Sequence, residues 1–168
     1  MRLALLSLSL LAACDLRPNP EAACTVDDSV MPGHLVGTLD GADWNADDVT
    51  WLFAGDSLQV NTGTEEGWRL SIVAQTDNDG ATVKSVMDAG NYPVHVAFGE
   101  GAGGFVTVYT KYGSSSYSTN NTPGGVFEIL RMDEDEGVVG CISFEAATDE
   151  GEVVSLDAGS LRAIPSGS

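Results

Sequence analysis

Residues 138–147 read VVGCISFEAA. Taken alternately, Val138, Gly140, Ile142, Phe144 and Ala146 share one side, and Cys141, Ser143 and Glu145 share the other, more polar side. A period of two belongs to a β-strand with one face on a core and one in water, because successive side chains point to opposite faces. The next segment, Val153–Ile164, keeps the rhythm but changes phase. Val154, Leu156 and Ala158 have one parity, Leu161 and Ala163 the other. Gly159 stands at the change, which predicts a β-bulge there. Between the two segments TDEGE, residues 148–152, reads as a hairpin turn pivoting on glycine.

The alternation continues towards the N-terminus. His34–Leu39, Val49–Ala54, Ser57–Asn61, Trp68–Gln75, Val94–Phe98, Phe105–Tyr112 and Val126–Met132 are strand candidates. Trp68, Leu70, Ile72 and Ala74 share a face, as do Val94, Val96 and Phe98. GTEEG (63–67), TDNDG (76–80) and DEDEG (133–137) supply Asp or Asn together with glycine between strand candidates. No convincing amphipathic helix is legible. The expectation is an all-β protein: one antiparallel domain over residues 34–168, with about nine to ten strands. Alternation does not choose between a β-sandwich and a closed β-barrel.

The first fourteen residues, MRLALLSLSLLAAC, differ in kind. Arg2 precedes an uncharged run from Leu3 to Leu11, and small residues Ala12 and Ala13 close it. That is the order of a secretory signal, and the run is too short to span a bilayer. Leu11-Ala12-Ala13-Cys14 resembles the lipobox of bacterial lipoproteins. The resemblance implies a diacylglyceryl group on the Cys14 thiol, removal of residues 1–13, and acylation of the new amino terminus with palmitate-type chains. Each buried CH₂ contributes about 0.8 kcal/mol to membrane binding, so several chains anchor stably. The expected location is the bacterial cell envelope, on the inner or the outer membrane. Residues 14–33, with Pro18, Pro20 and Pro32, read as a lipidated tether.

The chain has 168 residues and a net charge of −18, with 25 acidic and 7 basic residues. Its 43% hydrophobic content is enough for a core, so the charge does not imply disorder. Such a surface repels nucleic acid and anionic headgroups and favours cations. With Cys14 lipidated, Cys24 and Cys141 remain, an even number of thiols in an oxidising compartment. One disulfide is expected, against the alternative of two separate thiols. Cys141 lies on the polar side of its strand, so the bond would clamp the tether to the outside of the sheet.

Gly37-Thr38-Leu39-Asp40-Gly41-Ala42-Asp43-Trp44-Asn45-Ala46 is similar to the opening of an uncharacterised family of small bacterial all-β lipoproteins, which follow a lipobox and short tether with a G-x-I-N-G-x-x-W-x-A-like segment. Gly90-Asn91-Tyr92-Pro93-Val94 resembles the family's G-x-Y-x-L, and VVGCISFEA with SLDAGSLRAI its closing hairpin. Where the family has G-T-F-x-F this chain has Gly140-Cys141-Ile142-Ser143-Phe144, and the final aromatic after Gly159 is missing. The resemblance implies an all-β domain in the envelope and no particular activity. Trp44 reads structurally, as a cover for one end of the core beside an Asp-Gly turn.

Chemistry is sparse. The two histidines are His34 and His95, and no H-E-x-x-H, C-x-x-C or G-x-S-x-G occurs. The serine-rich stretch at 113–124, GSSSYSTNNTPG, reads as a mobile loop. No catalytic residue and no resident cofactor or metal is assigned. Asp77-Asn78-Asp79-Gly80 and Asp133-Glu134-Asp135-Glu136 offer hard oxygens to calcium, but neither supplies a full calcium loop. Tyr109, Tyr112 and Tyr117 flank the serine stretch and form a candidate face for a glycan or protein partner. The leading expectation is a non-enzymatic binding or structural module held at the bilayer through Cys14. The alternatives are a small hydrolase or sugar-active enzyme, and a calcium-stabilised interaction module.

Overall fold

The computed structural model describes residues 24–63, 67–77, 80–110, 115–122, 124–133 and 137–167. The strands in chain order are β1 (His34–Leu39), β2 (Ala42–Ala46), β3 (Thr50–Ala54), β4 (Ser57–Asn61), β5 (Trp68–Ala74), β6 (Val94–Phe98), β7 (Gly104–Thr110), β8 (Ser116–Ser118), β9 (Gly125–Asp133), β10 (Gly137–Ala147) and β11 (Val153–Pro165). Eight of them, β11-β3-β4-β5-β7-β6-β9-β10, pair in a ring that closes where β10 meets β11. The fold is therefore a closed barrel, the second of the two architectures alternation allows. An eight-stranded barrel is just wide enough for its own side chains to fill. Here Leu35, Leu58, Leu70, Ile72, Phe127, Ile129 and Leu156 are fully buried and belong to one core cluster.

The three extra strands sit at two seams. Along one edge of β11, β1 pairs with Leu156–Arg162, and β3 then takes Ile164 and Pro165 in parallel. β2 lies outside β1. At the other seam β6 and β7 meet through one parallel pair, Phe98 with Gly104, while β8 bridges β7 and Ala147 of β10. The sheet is thus mixed rather than purely antiparallel. Parallel neighbours ordinarily need a long crossover. β6 and β7 avoid one because they overlap only end to start.

The expected bulge exists one residue earlier than read. Ile142 pairs with Gly159 but Phe144 with Leu156, so Asp157 and Ala158 together oppose Ser143. Ala158 carries the left-handed backbone, φ 50°. Gly159 is glycine for a different reason. A Cβ there would come within 2.7 Å of the Ile142 carbonyl, and Gly37 of β1 passes directly against it.

Strand β2 and the hairpin it makes with β1 turn on Asp40 and Gly41, both with positive φ (50° and 79°). This is the primed two-residue turn for which Asp-Gly is suited. It buries Trp44 in the core, 5% exposed, as its structural reading expects.

Two readings are corrected. TDNDG leads into a helix, α1 (Val83–Asp88), not into a strand. Thr82 caps it by accepting from the Ser85 N–H at 3.1 Å, and Val83 and Met87 join the core. Six residues with two inward positions are too few to show a helical period. The serine-rich stretch is not simply a loop either. Ser116–Ser118 form β8, and the fully buried Thr119 hydroxyl accepts from the Val106 N–H at 3.0 Å.

Residues 24–33, read as tether, lie along the barrel. Val30 is buried, Asp28 meets Arg162 at 3.1 Å, and the Gly33 N–H donates to the Arg162 carbonyl at 2.7 Å.

Candidate functional site

A row of outward-facing residues crosses the barrel wall. Strand register sets His95 of β6 opposite Glu128 of β9, Glu128 opposite Cys141 of β10, and Cys141 opposite Ser160 of β11. All four lie on the side opposite the core by the same period of two that fills the interior.

Cys141 is bonded to Cys24, with 6.0 Å between Cα atoms. The disulfide brings the incoming chain across β9 and β10. Its consequence falls on Glu128. The Cys24 N–H donates to Glu128 Oε2 at 3.3 Å, and Glu128 is only 8% exposed although it faces outward. A carboxylate so covered is unusual, because burying a charge is costly unless it is partnered.

Beside it lies a groove of about 360 Å³. The disulfide and Val126 give it apolar walls, the bulge at Ala158 and Gly159 forms one side, and Glu128 supplies the carboxylate. Thr25, Ser143 and Ser160 bring hydroxyls. The bulge matters here: two residues against Ser143 bend the strand and widen the surface where the groove sits.

The three tyrosines do not form one face. Tyr109 points outward and is 40% exposed. Tyr117 sits on the opposite side of the sheet, since Val108 is its partner and Ser116 that of Tyr109. Tyr117 is buried against Trp68, ring centroids 5.9 Å apart, and its hydroxyl donates to Glu152 at 3.4 Å. Its face is taken by the core, which removes it from a stacking platform. Tyr112 lies outside the described residues.

Burial pushes the Tyr117 phenol above its ordinary pKa, and the Glu152 carboxylate, its hydrogen bond and the charge of Asp40 push the same way. A raised folded pKa means the fold holds the proton more tightly than the unfolded chain. That contribution is complete below about pH 10 and is lost as pH rises beyond it. Tyr117→Phe is therefore expected to lose less stability between pH 9 and pH 11 than the parent, in paired urea titrations.

The acidic turns are only partly described. Asp77 accepts from the Ala81 N–H at 3.1 Å through its side chain and from Gly80 through its carbonyl, the bonding of a turn former. Asn78, Asp79 and Glu134–Glu136 lie outside the described residues, as does Cys14. Among the described residues no three His, Cys, Asp or Glu side chains are grouped to hold a metal ion. His34 is engaged with Asp47 at 2.8 Å and with the Pro32 carbonyl at 3.0 Å.

Glu128 is the groove residue that the sequence pattern does not single out. In FEIL, residues 127–130, its parity puts it on the polar side, where an acid is unremarkable. The register that starts at Asp133 and Gly137 would set Glu128 opposite Ile142; the irregularity between Val139 and Gly140 shifts it opposite Cys141, where Cys24 covers it, and no local pattern marks that shift. The chain matches no protein-family model, no curated protein and no solved structure.

Proposed function

We propose that this protein is a lipid-anchored module of the bacterial cell envelope, which holds a disulfide-clamped barrel at the membrane surface for recognition rather than catalysis. The observation that carries the anchor is Leu11-Ala12-Ala13-Cys14 at the end of an uncharged run begun by Arg2. A barrel whose interior is filled by its own side chains leaves its outer wall for binding. What that wall offers is a groove with apolar sides and a single covered carboxylate, the composition of a recognition site. Bond-breaking would need a nucleophile and an acid–base pair converging on one point; His95 and Glu128 are cross-strand neighbours, but the disulfide stands between Glu128 and the Ser160 hydroxyl.

The expected outcome for Cys14→Ser is loss of the anchor. The parent chain partitions with membranes and resists salt extraction, while the variant is released. Blocking lipoprotein signal peptidase with globomycin should accumulate the larger precursor of the parent. An unchanged size under globomycin would defeat the lipoprotein reading.

A further inference from the structure

We infer that the groove beside the Cys24–Cys141 disulfide is a recognition site for the ammonium of a lysine side chain presented by a partner protein. This deepens the binding-module reading and rests on it. Three features of the groove select that ligand.

The first is charge. Glu128 is 8% exposed and lines the groove, and the chain as a whole carries −18. A cation is drawn to the surface by the long-range field and then finds a carboxylate largely removed from water, where the pairing is screened least.

The second is shape and polarity. Val126 and the disulfide present apolar surface that suits an alkyl stem. One carboxylate among the lining residues matches one charge at the end of one stem. A free diamine would have to leave its second ammonium against that surface or at the rim.

The third separates lysine from arginine. Oε2 of Glu128 already accepts from the Cys24 N–H. A guanidinium draws its advantage from two parallel bonds to both carboxylate oxygens, whereas an ammonium is a point charge content with the free lone pairs. Among the described residues, neither Arg162 nor His95 lines the groove. Arg162, two residues beyond Ser160, is tied to Asp28 at 3.1 Å, and His95 lies across the strand from Glu128 on the side away from Cys141.

The test titrates Nα-acetyl-lysine-N-methylamide into the full processed chain in detergent micelles, with NMR of the backbone amides as readout. The uncharged norleucine analogue, the arginine analogue and 1,5-diaminopentane are run in parallel. The expected result is saturable shifts at Cys24, Thr25, Glu128 and Ser160 with the lysine probe, with a Kd on the order of 1 mM for so small a ligand. Norleucine should give none, and the arginine and diamine probes should bind at least threefold more weakly. Glu128→Gln keeps an acceptor for the Cys24 N–H and should weaken lysine binding at least tenfold. The inference is overturned if lysine and norleucine shift the groove alike, or if arginine or the diamine binds more tightly than lysine. The probe comparison needs no variant, so it decides the matter even where Glu128→Gln folds poorly. Failure here with lipid still on Cys14 removes the ligand and leaves the anchored module; an unlipidated Cys14 with lysine bound does the reverse.

Discussion

Removing the Cys24–Cys141 bond, by Cys24→Ala with Cys141→Ala, is expected to lower the melting temperature by about 10–20 °C. The bond joins residues 117 apart in sequence. In the chain-entropy model a loop of this size costs the unfolded chain about 5 kcal/mol of conformational freedom when closed. For a chain of 150–250 residues each kcal/mol moves the midpoint by about 2–4 °C. The folded state gives little of this back by relaxing, because residues 24–33 also hold to the barrel through Val30, the Asp28–Arg162 pair and the Gly33 N–H. The loss should therefore show as lower global stability with a similar folded spectrum. Calorimetry of the double variant against the oxidised parent checks it. A shift under about 2 °C would mean that the unfolded chain is already compact around these residues.

The second large effect is expected at Gly124. It precedes β9 at the point where Gly125 is paired on both sides, to Phe98 of β6 and to Phe144 of β10. Three backbones converge there. Gly124 has φ +86°, and a Cβ on it would overlap the Phe98 carbonyl and the Gly99 nitrogen. Gly124→Ala thus meets two penalties, about 1–2 kcal/mol for a left-handed backbone and about 1–3 kcal/mol for overpacking against atoms that cannot rotate away. Gly41→Ala is the matched control. Its φ is +79° with nothing within 4 Å of the added Cβ, so it should cost the backbone term alone. Urea unfolding of both variants separates the terms. Equal losses would show that the strands at the β6–β9–β10 junction can move apart at little cost.

Much of the barrel wall was legible because each strand carries its own evidence. Ser57–Asn61 and Val94–Phe98 occur with the predicted limits, and Leu70, Ile72 and Ala74 are inward as their parity requires. The disulfide was legible from the parity of Cys141 and the count of thiols. Closure was not. It depends on β11 holding β10 along one edge and both β1 and β3 along the other, a long-range pairing that no local pattern encodes. β2 was missed because ADWNA offers one large apolar side chain, Trp44. β8 was missed because serine-rich composition argues for a loop, whereas the buried Thr119 hydroxyl and the Val106 N–H settle its position. The candidate site was hidden for the same reason. Glu128 looks like any exposed acid until Cys24 is laid over it.

The most direct test of the anchored, clamped barrel is the intact mass of the protein extracted from membranes without reductant. The account predicts a chain beginning at Cys14 with an acylated amino terminus, a diacylglyceryl group on its thiol, and two hydrogens fewer than the reduced form through Cys24–Cys141. A mature chain that begins elsewhere, or one beginning at Cys14 with a free thiol and no added lipid, would contradict it.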